Sequence, residues 1–212
     1  MSRTPSPPRR YRSALAACVI ALALAGCSSD GAGGGDASPE DAATKRVAAA
    51  GISFEVPASW KEVDPEERAE DMGGDMGEDS ALSEYADQLG IAPDQLEQAL
   101  GGLDLVLVSG EDEPPGNLNV VRVAGRMPTD RLAERDISRV GGDVHEIHRE
   151  QTRLGETLIV VYELDVNGTR VPVQTIYADA ADGLVSISFG SADDETAEDL
   201  ADGVLDTLRE AG

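Results

Sequence analysis

The stretch from Glu156 to Gly190 constrains the fold more than any other part of the chain. It reads ETLIVVYELDV, NG, TRVPVQTIYADAA, DG, LVSISFG. Leu158, Val160, Tyr162 and Leu164 recur at every second position, as do Val185, Ile187 and Phe189. Period-two alternation is the pattern of a strand with one buried face. Asn-Gly and Asp-Gly between such runs are hairpin turns, because both residue types tolerate the left-handed backbone that a tight β-turn needs. Three long strands folded back on one another make an antiparallel sheet.

The rest of the chain fits around that sheet. GISFEVPASW alternates Ile52, Phe54 and Val56 and stops at Pro57, which predicts a half-buried strand and a turn. LDLVLVS and NLNVVRVAG predict two more strands, joined through EDEPPG, and DVHEIHREQT another. TDRLAERDISRVGG predicts a helix with Thr129 at its N-cap, Gly141 past its end, and Ala133, Ile137 and Val140 on one face. ALSEYADQLG and APDQLEQALGG also have helical spacing, with Pro93 in a first turn. A last helix is expected over Asp193–Glu210, capped by Ser191. Its apolar stripe would be Ala197, Leu200, Ala201, Val204, Leu205 and Leu208. The expected class is α+β, an antiparallel sheet covered by helices.

Ahead of this domain the chain changes character. MSRTPSPPRRYRS carries four arginines and no acid, and ALAACVIALALA is an apolar run too short to cross a membrane. A basic start, a short apolar core and small residues make a secretory leader. Leu24-Ala25-Gly26-Cys27 resembles a bacterial lipobox, whose cysteine thiol takes a diacylglyceryl group and becomes the new N-terminus. LAAC at 15–18 has the same letters but sits inside the apolar run. An ordinary cleaved leader with an incidental cysteine is the alternative, but SSDGAGGGDASPEDAAT after Cys27 is the small, polar sequence of a tether. Its root-mean-square reach would be roughly 20–25 Å. Arg9-Arg10 leaves both general and twin-arginine export open. The expected organisation is a lipoprotein signal over 1–26, a lipidated cysteine and flexible tether over 27–46, and one domain over 47–212. The expected location is the extracytoplasmic face of the cell membrane, held there by two or more acyl chains.

Charge narrows the partners. The formal net charge is −24, and loss of the leader would leave 13 basic against 41 acidic residues, or −28. Such a field excludes nucleic acid, whose binding rests on basic contacts to phosphate. Once Cys18 leaves and Cys27 is lipidated, no thiol remains for a disulfide, so the core alone must hold the domain. That core is poor in rings: after the leader only Phe54, Trp60, Tyr85, Tyr162, Tyr177 and Phe189 remain.

ISFEVPASW, NLNVVRVAG and the closing block VPVQTIYADAADGLVSISFGSADDETAEDLADGVLDTLR together resemble the actinobacterial LpqN/LpqT-type lipoproteins. These resemble the wider Mog/PsbP-like fold, which includes a photosystem extrinsic subunit and a nuclear Ran-binding protein. The resemblance spans most of residues 50–210, without the acidic stretch 64–80. It implies a non-catalytic binding or scaffolding module with no catalytic residues to carry over.

The search for chemistry agrees. His145 and His148 are the only histidines. On a strand their odd spacing puts them on opposite faces, so no metal site and no stoichiometric zinc binding are expected. Glu111–Glu113 and Asp193–Glu195 supply carboxylates without the spacing of a calcium loop. The chain has no nucleophile elbow, P-loop or dinucleotide fingerprint. No cofactor is expected. Trp60 has two readings, a core residue lidding the sheet edge or the wall of a binding groove. The expected function is a lipid-anchored envelope binding or scaffold module whose partner is an envelope protein or lipid. A carrier of an apolar envelope lipid is the alternative, and a hydrolase a more distant one.

Overall fold

A computed structural model describes residues 43–64, 101–110, 114–166 and 168–212. The expected leader, Cys27, most of the tether, the acidic stretch after Asp64 and the two helices expected between 81 and 101 lie outside the described residues. Among the described residues ten strands and two helices follow in order: β1 (Thr44–Ala49), β2 (Ile52–Pro57), β3 (Lys61–Glu62), β4 (Leu103–Val108), β5 (Gly116–Val123), α1 (Asp130–Arg139), β6 (Gly142–Thr152), β7 (Gly155–Val166), β8 (Thr169–Ala180), β9 (Gly183–Ser191), α2 (Asp194–Thr207) and β10 (Arg209–Glu210). Among the described residues no helix is long and apolar enough to cross a membrane.

Seven strands form one antiparallel sheet in the order β3-β4-β5-β9-β8-β7-β6, and β1-β2-β10 form a second. The two expected hairpins are present. Val166 faces Thr169 across the first turn and Ala180 faces Gly183 across the second. Gly168 sits at φ +82°, and its N–H donates to Asp165 Oδ1 at 2.7 Å.

One face of the large sheet carries Leu105, Leu107, Leu118, Val120, Ile159, Ile176, Val185, Ile187 and Phe189, all buried. Ile52, Phe54, Val56 and Trp60 from the first segment, with Ala201, Val204, Leu205 and Leu208, complete that core. The opposite face carries Leu158, Val160, Tyr162, Leu164 and Val173 against Ala133 and Ile137 of α1. The helices therefore cover the sheet from both sides, as an α+β layering requires.

α1 is fixed at its start by Arg149 of β6. The guanidinium donates to Asp130 Oδ1 at 2.6 Å and to the Pro128 carbonyl at 3.4 Å, and its Nε lies 3.2 Å from Glu156. The Asp130 bond, with smaller help from Glu156, holds its pKa above the ordinary guanidinium value. Thr129 occupies the N-cap position as expected, but its side chain makes no capping bond.

Three boundaries differ from the sequence reading. The tether was expected to run to residue 46, yet β1 begins at Thr44. Its side chains alternate between exposed and half-buried, and Arg46 is ion-paired to Glu55 of β2. The turn into β2 is Ala50-Gly51, with both residues at positive φ (52° and 83°), a conformation that alanine does not advertise. At the other end α2 stops at Thr207, not Glu210. Thr207 Oγ1 donates back to the Gly203 carbonyl at 2.7 Å and accepts from Glu55 N–H at 2.9 Å. Arg209 and Glu210 then pair with Ser53 and Ile52 as a strand. The cap of α2 is Asp193 rather than Ser191. Asp193 Oδ1 accepts from Thr196 N–H at 2.8 Å and Oδ2 from the Thr196 hydroxyl at 3.1 Å.

Candidate functional site

Helix α2 buries one stripe and leaves two flanks free, and each flank is the wall of a groove. The stripe is Ala197, Ala201, Val204 and Leu205. The small residues let the helix lie close to the sheet, so its sides stand above flanking hollows.

The first groove lies between α2 and the strand pair β1–β2. It has a volume of about 490 Å³, and its apolar lining includes Val56, Pro57, Trp60, Pro114 and Leu200. Glu55, Asp199 and Asp206 stand on its rim. Trp60 is 3% exposed, so it belongs to the core and to the groove at once. Its position has local causes. Its N–H donates to the Pro57 carbonyl at 3.2 Å, closing the turn after β2. Its carbonyl accepts from Lys45 Nζ of β1. The far edge of the indole reaches Gly116 of β5, where a Cβ would stand 3.4 Å from Cη2 and Cζ2. The glycine leaves the ring its place.

The second groove lies between the opposite flank of α2 and the strands β6–β7, with a volume of about 560 Å³. Here the sequence reading of the histidines is corrected. His145 and His148 do not lie on opposite faces; both line this groove. The cause is a β-bulge between Val144 and Glu146, where two residues of β6 oppose one of β7. An extra residue shifts the alternation by one, so an odd spacing returns to the same face. His145 Nε2 stands 3.5 Å from Glu163 Oε2, and His148 Nε2 3.5 Å from Glu150 Oε1. His148 Nδ1 lies 3.3 Å from Glu146 Oε1, in a geometry that makes no hydrogen bond. No bulge signal such as a glycine marks this position in the sequence.

The groups these histidines face are carboxylates. Among the described residues no three His, Cys, Asp or Glu side chains gather as a metal site would need. The arrangement is suited to holding a ligand by charge and shape. Asp193 and Asp194 are split by the fold, the first capping α2 and the second standing in the second groove. Glu111–Glu113 and Cys27 lie outside the described residues.

A third feature was not anticipated. On the face opposite α2, Asn117, Asn119, Thr175, Ser186 and Ser188 are all 1% exposed or less. Tyr162 Oη, Thr175 Oγ1 and Ser188 Oγ form a hydroxyl chain with steps of 3.2 and 2.9 Å. Among the described residues neither polar atom of the Asn117 carboxamide has a hydrogen-bond partner, nor has Asn119 Oδ1. In the sequence these residues occupy strand positions that would ordinarily face solvent.

No family model matches this sequence, and no curated protein matches it either. Among solved structures the chain is similar to the solution structure of cyanobacterial PsbP (CyanoP) from Synechocystis sp. PCC 6803. The two share 15% sequence identity at a TM-score of 0.48, over 85% of this chain and 100% of that chain. At that level the likeness assigns no role to any residue.

Proposed function

We propose that this protein is a lipid-anchored, non-catalytic binding module of the bacterial cell envelope, of the LpqN/LpqT type. Cys27 would carry the anchor, and the groove walled by Trp60 would hold the partner on the extracytoplasmic side. The observation that carries the binding role is the groove itself. It is an apolar hollow of about 490 Å³ built around the chain's one tryptophan, within the usual size range of ligand sites. Its acidic rim, Glu55, Asp199 and Asp206, favours an apolar group flanked by basic residues, as an envelope protein would present.

The test is co-purification from the host membrane with the wild-type chain and with Leu200→Glu, which places a charge in the groove. A stoichiometric protein partner retained by the wild type and lost from the variant supports the reading. Native mass spectrometry of the same sample distinguishes the carrier alternative, since a retained lipid lost in Leu200→Glu would replace a protein partner. Retention of the same partner by both proteins would remove the groove from the binding role.

A further inference from the structure

The second groove carries an inference independent of the anchor and of the Trp60 groove. Its helix wall bears Asp194, Glu198 and Asp202, four residues apart, and among the described residues none of the three makes an ion pair. Its strand wall bears Glu146, Glu150 and Glu163 with the two histidines, and among the described residues only Glu163 has an arginine partner, Arg170 at 3.0 Å. Among the described residues no lysine or arginine lines the groove. The floor between the walls includes Ile159, Val161 and Leu205.

One polar group interrupts that floor. Gln174 of β8 is 9% exposed, and its carboxamide makes no side-chain hydrogen bond among the described residues. Val161 and Phe189 are its neighbours across the sheet on the face toward α2. The residue is nine-tenths buried, and it lines the groove.

We propose that this groove binds a linear aliphatic polyamine. Two walls of carboxylate meet ammonium groups, an apolar floor meets methylenes, and Gln174 accepts a hydrogen bond from a nitrogen that crosses the floor. The spacing agrees. Carboxylates four residues apart on a helix recur about every 6 Å along its axis. An extended chain advances about 1.2 Å per bond, so nitrogens separated by four methylenes also lie about 6 Å apart. A divalent metal needs its ligands gathered at one point, whereas these line two walls. A basic peptide would lay a polar backbone over Ile159 and Val161, where only Gln174 could meet it.

The test is titration of spermidine by calorimetry into the intact protein in detergent at low salt. The expected result is one spermidine per chain. Affinity should fall tenfold or more in the double variant Glu198→Gln/Asp202→Asn, and severalfold in Gln174→Leu. The double variant Asp179→Asn/Asp182→Asn removes the same charge outside the groove and should lose less than twofold. Circular dichroism confirms that each variant is folded. Multiple weak sites, or equal losses in the two double variants, would mean that spermidine reads only the net acidity and would overturn the proposal. So would tetralysine binding more tightly than spermidine with the same dependence on Glu198 and Asp202, since the occupant would then be a basic peptide.

Discussion

Gly142 and Ile137 are packed so closely that a Cβ on the glycine would overlap Cγ2 of the isoleucine. It would also stand 3.1 Å from Tyr162 Cδ2 and 3.2 Å from the Ile137 carbonyl oxygen. Gly141 before it is at φ +84°, so the pair turns the chain from α1 straight back into β6. Ile137 and Tyr162 are both fully buried in the core under α1. None of the three atoms is the loose end of a flexible side chain. Gly142→Ala should therefore destabilise the fold by about 1–3 kcal/mol, as overpacking does. Thermal unfolding checks this, and a midpoint equal to the wild type would mean that α1 shifts freely.

Much of this architecture was legible in the sequence because periodicity reports burial. The alternation through Leu158, Val160, Tyr162 and Leu164 is the face under α1, and the alternation through Val185, Ile187 and Phe189 is the face under α2. What escaped was whatever periodicity does not encode. Ala50-Gly51 turns a hairpin without a turn-forming letter at its first position. The bulge at His145 reverses the phase of β6 with no residue to announce it. Leu208 fits the stripe of α2 by spacing, and it is buried, but as the extended residue after the helix. Trp60 was legible as a residue of interest, but its two readings are not exclusive. A ring seated against Gly116 is both core and groove wall.

Asp193 caps α2 with both carboxylate oxygens, one on the Thr196 N–H and one on its hydroxyl. Replacing a capping aspartate by alanine costs about 0.5–2 kcal/mol. Asp193→Ala should lower the urea midpoint accordingly, whereas Asp199→Asn on the same helix, outside the cap, should leave it nearly unchanged. Equal midpoints for Asp193→Ala and the wild type would show that the cap contributes nothing.

Leu208 is fully buried beneath the join of α2 and β10, in the core shared with Phe54 and Phe189. The chain offers no disulfide to compensate for a cavity there, since Cys18 and Cys27 are its only cysteines and both precede the domain. Leu208→Ala should cost about 2–5 kcal/mol, a large share of the 5–15 kcal/mol by which domains are commonly stable. Equilibrium denaturation measures it. A loss under about 1 kcal/mol would place Leu208 at a site that collapses around the smaller side chain.

Cys27 is the thiol that the anchor of the proposed function requires. Cys27→Ala should abolish incorporation of labelled palmitate and move the protein from the membrane to the soluble fraction. Undiminished label on the variant would refute the anchor and leave both grooves to be explained without it.

The buried polar layer beneath β5, β9 and β8 allows a sharper comparison. Asn117 is 1% exposed and, among the described residues, both polar atoms of its carboxamide lack partners, so it has given up water without replacement there. A buried group in that state costs about 1–3 kcal/mol, and an apolar side chain of similar shape avoids the cost. Asn117→Leu should therefore leave stability unchanged or raise it. Thr175, two strands away, is in the opposite situation. Its hydroxyl joins Tyr162 Oη to Ser188 Oγ, so both its hydrogen-bonding roles are met. Thr175→Val keeps the shape and removes both bonds, and at about 0.5–1.5 kcal/mol per bond it should cost about 1–3 kcal/mol. The two substitutions move buried polarity in the same direction, yet their effects should have opposite signs. Urea denaturation of both variants decides it. If Asn117→Leu is destabilised as much as Thr175→Val, the Asn117 carboxamide is held by an ordered water or a bound molecule, and the polar layer becomes a third place to look for a ligand.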